Sequence, residues 1–226
     1  MASDKRTREA QYQESLELSE RQGLAKLGLM TSHTWQIDPR RLGFVLARYK
    51  FVSKMFSGLG SVLEVGCADA MGTRIVQQEV GAVTAIDFDP VFVADVRDRM
   101  DSEWTFECFE HDMLDGPVSD GFDGAYSLDV IEHIPVEQET RFVSNMVASL
   151  NEHGILILGT PSLESQRHAS PASKAGHVNC KTDATLKNLL NPYFRHVFIF
   201  SMNDEVVHTG FYAMAHYLFA LCCTRR

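Results

Sequence analysis

From residue 61 onward the chain alternates short apolar runs with stretches of helical spacing, and this alternation limits the fold more than any other feature. Strands are expected at 61–65, 82–86, 104–110, 122–128 and 155–159, with helices at 73–79, 90–100 and 137–150 between them. Several of the strands are apolar at consecutive positions, as required when helices cover both faces of a sheet. Strands separated by helices pair in parallel through right-handed crossovers. After a polar stretch at 161–181 and a helix at 182–190, two strands follow at 196–202 and 214–223 with no helix between them. A hairpin through Asn203 to Gly210 is the simplest link, so one of these two runs antiparallel. The expected fold is α/β: a doubly wound, seven-stranded sheet, mostly parallel, with one antiparallel strand near the C-terminus.

Upstream, Asp38-Pro39 is expected to open a helix, with Asp as N-cap and Pro in the first turn. Leu42, Val45, Leu46, Tyr49, Val52, Met55 and Phe56 recur at helical spacing behind it, and Gly58 and Gly60 end it. Residues 2–21 are polar and read as a frayed helix or a lead-in. With no repeat and no internal linker, 1–226 is read as one domain: a helical extension or lid over 1–57 and the sheet-bearing core over 58–226.

Charge narrows the partners. A formal net charge of −9 repels phosphate backbones, which argues against nucleic-acid binding. The densest basic stretch, Arg40, Arg41, Arg48, Lys50 and Lys54, reads as the wet face of a helix. The 5 cysteines (Cys67, Cys108, Cys180, Cys222, Cys223) form no CxxC pair, which points away from zinc ribbons and disulfides and towards a reducing, cytoplasmic setting. The most apolar stretch, 211–223, is too short to span a bilayer and reads as a buried final strand.

The sharpest local signal is Val62-Leu-Glu-Val-Gly-Cys-Ala-Asp-Ala-Met-Gly-Thr73, where a strand ends, small residues follow and a helix begins. Ligands of open α/β sheets bind at such carboxyl ends. Gly66 allows close approach of a ligand to the backbone. A dinucleotide fingerprint is broken, because Ala68 and Met71 stand where its second and third glycines belong. Glu64 and Asp69 in the loop suit a cationic ligand better than a pyrophosphate.

This stretch resembles the first motif of class I S-adenosylmethionine methyltransferases, Glu/Asp-x-Gly-x-Gly-x-Gly, with Ala68 in place of the second glycine. The resemblance implies a Rossmann-like fold and places S-adenosylmethionine against Glu64, Gly66, Cys67, Ala68 and Asp69. Three more features fall in the family's order. Asp87, in Ala-Ile-Asp-Phe-Asp-Pro, is expected on the ribose hydroxyls with Phe88 on the adenine. Asp112, in Glu-His-Asp-Met, is expected on the adenine amino group with Met113 nearby. The segment Phe122 to Pro135 resembles the fourth-strand motif, which puts Leu128 and Asp129 beside the methionyl part and His133 at its border.

Methyl transfer is an in-line displacement, so alignment and exclusion of water carry most of the catalysis. An alcohol acceptor must also lose a proton, and histidine suits that near neutral pH. The loops on the expected site side contain His133, His168, His177 and His208. His177, in Gly-His-Val-Asn, resembles a segment of the branch that includes ubiquinone-pathway and sugar O-methyltransferases, and ranks first as general base. His208 ranks second. His177, Asp204, Glu205 and His208 are suitable metal ligands, but no recognised spacing links them and no metal site is assigned. His33, Trp35 and Tyr49 are candidates for a lid. The expected activity is O-methylation of a small molecule, such as a sugar or biosynthetic intermediate. N-methylation, or cofactor binding without catalysis, are the alternatives. No nucleic acid or membrane is expected as partner, and the chain is expected as a monomer or homodimer.

Overall fold

The computed structural model describes residues 5–119 and 121–226; residues 2–4 of the expected lead-in lie outside them. The strands are β1 (Ser61–Val65), β2 (Ala82–Asp87), β3 (Glu107–Glu110), β4 (Phe122–Leu128), β5 (Leu150–Pro161), β6 (Phe194–Asn203), β7 (Val206–His208) and β8 (Tyr217–Arg225). They form one sheet in the order β3-β2-β1-β4-β5-β8-β6-β7. Strands β1 to β5 pair in parallel, whereas β8 pairs antiparallel with both β5 and β6. The sheet is therefore Rossmann-like and mostly parallel. It has 8 strands because the link between β6 and β8 folds back as β7, which pairs antiparallel with the end of β6. The period-2 signal in Val206–His208 is too short to announce a strand.

The helices are α1 (Gln13–Gln22), α2 (Leu29–Ile37), α3 (Arg40–Met55), α4 (Thr73–Gln77), α5 (Pro90–Arg99), α6 (Glu139–Ala148), α7 (Pro171–Gly176) and α8 (Asp183–Leu190). They sort onto the two faces by the alternation of the strands. On one face, Leu63, Val65, Leu156 and Leu158 bury against Phe142 and Met146 of α6 and Leu186 and Leu190 of α8. On the other, Val62, Tyr126, Ile157 and Phe219 bury against Tyr49, Val52 and Phe56 of α3 and Val76 of α4. A satellite of Ala85, Cys108, Val93 and Val96 holds α5 beneath β2 and β3. The last helix of the 1–57 extension, α3, is thus a layer of the core. The 161–181 stretch is more ordered than a loop: it holds a 3-10 turn at Glu164–His168 and the short α7. The 211–223 stretch is, as its apolarity suggests, mostly strand β8, buried between β5 and β6.

Two local expectations are corrected. Asp38 turns its carboxylate to the Arg40 guanidinium at 2.8 Å instead of capping α3. Arg48 is not on a wet helix face. Its guanidinium lies 3.9 Å over the Tyr217 ring and pairs with Asp129, because position 48 falls on the side of α3 that faces the strand ends. No helix among the described residues is long and apolar enough to cross a membrane.

Candidate functional site

The carboxyl ends of β1, β2, β4 and β5 open onto one edge of the sheet, and the sequence motifs meet there. After β1 the chain turns through Gly66 (φ +78), Ala68 (φ 48) and Ala70 (φ 53). A Cβ at Gly66 would lie 2.3 Å from Val130 Cγ2, so this position admits only glycine. Ala68 and Ala70 have no such freedom, and each holds a left-handed conformation that costs an L-residue about 1–2 kcal/mol. Asp129, directly after β4, is also left-handed (φ 59). Three of the five non-glycine residues with positive φ among those described therefore lie at this edge, the kind of concentration found at ligand sites.

The Asp87 carboxylate organises the loop. One oxygen accepts the Ala68 N–H at 2.8 Å and the other the Asp89 N–H at 2.9 Å. Asp89 in turn caps α5 through the Val91 N–H. Next to Asp87, the Phe88 side chain is 70% exposed, a bare aromatic face at the rim. Asp112, after β3, is half-buried and accepts the Leu114 N–H at 2.8 Å, closing a turn. Met113, Leu128 and Cys67 are buried in the surrounding core, so their side chains form the floor of the edge rather than its surface.

Two acids of the first motif are already engaged. Glu64 is buried and points towards α3 and α4, accepting hydrogen bonds from the Tyr49 and Thr73 hydroxyls. Burial raises its pKa to about 7, against the lowering effect of the Thr73 hydrogen bond. Asp69 accepts the Thr31 N–H at 2.6 Å and the Thr31 hydroxyl at 3.1 Å, tying α2 to the loop. Sequence reasoning missed Thr31 and Arg48, because each contact joins residues far apart in the chain and polar residues on a helix read as solvated. Arg48 Nη1 donates to both oxygens of Asp129, at 2.7 and 2.6 Å. Of the lid candidates, only Tyr49 is buried, while His33 and Trp35 are exposed.

On the β4–β5 side, Ile131–His133 makes a 3-10 turn that brings Glu132 and His133 against the stretch after α7. The Glu132 carbonyl accepts the N–H groups of Val178 and Asn179 at 2.8 and 2.9 Å. His133 and His177 meet edge to face, with ring centroids 5.1 Å apart. His177 Nδ1 faces Gln166 Oε1 at 3.0 Å, and His133 Nδ1 faces the Gly176 carbonyl at 2.9 Å. Desolvation and the neighbouring His133 lower the His177 pKa. The stretch is locked by Lys181, which is buried and pairs with Glu139 and the Asn179 amide oxygen. Glu139 and Asn179 were also missed, because a polar loop gives no periodic signal.

His208 and Glu205, on β7 and in the turn before it, do not join the His133–His177 pair, and Asp204 lines a small cavity with Arg48, His216 and Tyr217. His208 belongs to β7, four strand spacings or about 19 Å from β4. Its Nε2 is held by Asn203 Oδ1 at 2.9 Å. Asp204 faces His216 at 3.8 Å, and His168 is exposed beside Arg167.

Comparison with known proteins bears on the fold that carries this edge. Residues 62–154, from β1 into β5, match the family described as a methyltransferase domain. Two proteins of Mycobacterium tuberculosis (strains CDC 1551 / Oshkosh and ATCC 25618 / H37Rv), each named "Probable S-adenosylmethionine-dependent methyltransferase", are 30% identical over 102 residues, 45% of this chain. The match spans about a third of the length of these relatives, 35%. Among solved structures, the N-methyltransferase NodS of Bradyrhizobium japonicum WM9 with S-adenosyl-L-homocysteine superposes with a TM-score of 0.61 at 21% identity, covering 84% of this chain and 91% of that one. A SAM-dependent methyltransferase of Archaeoglobus fulgidus gives 0.63 at 17% identity, covering 86% and 98%. At these identities the likeness establishes the fold.

Proposed function

We propose that this chain binds S-adenosylmethionine at the β1–β2–β4 edge and transfers its methyl group to an oxygen of a small molecule, such as a sugar or biosynthetic intermediate. The observation that carries the cofactor assignment is the Asp87 carboxylate, bonded to the strained loop after β1 and set beside the exposed Phe88 ring. Carboxylate oxygens keep lone pairs after accepting one N–H each, so Asp87 can still take ribose hydroxyls. A dinucleotide fits less well. The Ala68 N–H, which a pyrophosphate needs, is already spent on Asp87. Gly66, Cys67, Ala68 and Asp69 supply the backbone wall, Asp112 and Met113 the adenine end, and Leu128, Asp129 and His133 the methionyl end. Glu64 serves the same site from below, by holding α3 and α4 in register with the loop.

S-adenosylmethionine supplies an electrophilic methyl group on a sulfonium. For an alcohol acceptor the C–S bond breaks as the O–C bond forms, and the hydroxyl proton must go to a base. His177 suits that role better than His208. Its Nδ1–H is committed to Gln166, which leaves the Nε2 lone pair free, and its lowered pKa keeps the ring neutral at pH 7. The β7 position of His208 is about 19 Å from β4. The ordered 164–181 stretch gives a small acceptor a wall and leaves a macromolecule little to grip. Calorimetric titration with S-adenosylhomocysteine tests the assignment. Saturable binding with a rise in melting temperature is expected by mass action. A shift with NADH and none with S-adenosylhomocysteine refutes it.

A further inference from the structure

The Glu132–His133–His177 group has a property that general-base catalysis does not use. One ligand atom from each residue lies within 4.8 Å of those of the other two. Glu132 is 1% exposed, and its Oε2 accepts the Thr160 hydroxyl at 3.1 Å, but its Oε1 is buried with no hydrogen-bond partner. A buried carboxylate oxygen without a partner is costly, of the order of a few kcal/mol, unless something binds it. Both imidazoles are held in one tautomer by oxygen acceptors on Nδ1: the Gly176 carbonyl for His133 and the Gln166 amide oxygen for His177. Each ring therefore presents an uncommitted Nε2 lone pair. This outer support is the arrangement that orients imidazoles towards metals.

We propose that Glu132, His133 and His177 form a binding site for one divalent transition-metal ion. Two imidazoles and one carboxylate suit Zn²⁺, Co²⁺ or Mn²⁺, whereas Mg²⁺ and Ca²⁺ favour oxygen donors. An ion about 2.1 Å from each donor draws the three atoms to spacings of about 3–3.5 Å, within reach of side-chain rotation. Backbone bonds from Val178 and Asn179 to the Glu132 carbonyl, and the buried Lys181–Glu139 pair, hold the two ligand-bearing segments together without the ion.

For catalysis, this inference rests on the proposed function. With an ion bound, the His177 lone pair would be taken; the ion would lower the pKa of a coordinated acceptor hydroxyl, whose proton would pass to solvent while the O–C bond forms and the C–S bond breaks. Metal binding itself does not depend on that reading, and the two fail separately.

The test uses the full chain after dialysis against EDTA. Titration with CoCl₂ is followed by visible absorption and by equilibrium dialysis. The expected result is saturation at one Co²⁺ per chain with new d–d bands, lost on adding Zn²⁺ and kept in excess Mg²⁺. His133→Ala, at an exposed position, and His177→Ala should each weaken binding at least about 10–100-fold, the loss that even outer-shell changes cause. His153→Ala, an exposed histidine at the start of β5, should leave it unchanged. Absence of saturable binding overturns the proposal, as does equal binding by all three variants, which marks adventitious surface histidines. Circular dichroism of each variant separates loss of ligand from loss of fold. A parallel titration with S-adenosylhomocysteine in EDTA reports on the cofactor site alone.

Discussion

Replacing Asp87 separates loop support from ligand recognition. In the free protein its carboxylate accepts the Ala68 and Asp89 N–H groups, so Asp87→Ala strands two donors at a part-buried turn. Each stranded donor costs about 1–3 kcal/mol, and each kcal/mol lowers the melting temperature of a domain this size by about 2–4 °C. Loss of the charge-assisted bonds to ribose costs a further ~1.5–3 kcal/mol of binding, or about 10–150-fold in Kd. A weakened Kd alone is ambiguous, because a disordered loop also binds poorly. A cycle with a 2′-deoxyribose analogue of S-adenosylhomocysteine resolves this by calorimetry. If Asp87 touches the ribose, removing the hydroxyl costs wild type much more than it costs Asp87→Asn, which keeps one acceptor oxygen for the loop. Additive costs, within about 0.5 kcal/mol, would mean that Asp87 only braces the turn, and the ribose assignment fails.

Other outcomes follow from the same contacts. His177→Ala should lower kcat by about 10²–10⁴-fold with little change in cofactor Kd, and the wild-type rate should fall with acid through a pKa below the usual histidine value of about 6.5; unchanged turnover removes His177 from the chemistry. Glu64, with its pKa raised to about 7, binds more protons folded than unfolded between pH 4.5 and 7, so its contribution to stability falls as pH rises through that window, by about 3 kcal/mol in all. Glu64→Gln should flatten that decline in a series of melting curves; parallel curves refute the assignment. Ala68→Gly relieves a left-handed alanine and, net of the added freedom of the unfolded chain, should raise the melting temperature by up to about 2–4 °C; a lower melting temperature refutes the strain.

The parallel core was legible because its signals are local. Apolar runs fix β1, β2 and β4, and small residues at 66–70 mark where the first strand ends. Asp87 and Asp129 could be placed at strand ends for the same reason. What escaped was long-range. Arg48 is one of several basic residues in a stretch of helical spacing, and only the side of α3 on which it falls, packed over the sheet edge, distinguishes it from Lys50, which is exposed. Thr31 finds Asp69 across 38 positions, and Lys181 finds Glu139 across 42. Glu132 was passed over in favour of its neighbour His133, yet it is the more buried of the two and the one with an unpartnered oxygen. Alternation and spacing predict burial of apolar groups; they are silent on which polar groups meet inside.

The folded arrangement also changes the electrostatic argument for a cationic ligand. In the sequence, Glu64 and Asp69 crowd the first loop with negative charge. In the structure Glu64 faces away from the edge, with a pKa near neutrality that leaves much of its charge discharged, and Asp69 is occupied by Thr31. Of the other carboxylates assigned to the site, Asp87 and Asp112 accept backbone N–H groups of their turns, and Asp129 is matched by Arg48. With Asp129 so matched, a positive sulfonium and amino group gain little from it unless the guanidinium shifts. Such a shift is costly, because turning Nη1 away from Asp129 strands a largely buried charge whose Nε already lacks a partner. Because Arg48 sits on α3, which follows α2, and α2 is tied to the first loop through Thr31 and Asp69, both anchors of the extension over 1–57 bear on the two loops that would hold the methionyl group. The N-terminal helices are therefore part of the site's charge balance: Thr31→Val should loosen the first loop and weaken cofactor binding in a calorimetric titration, whereas loss of Arg48 unmatches Asp129 and should not weaken its attraction for a cationic methionyl group, although neither residue lies in a recognisable motif.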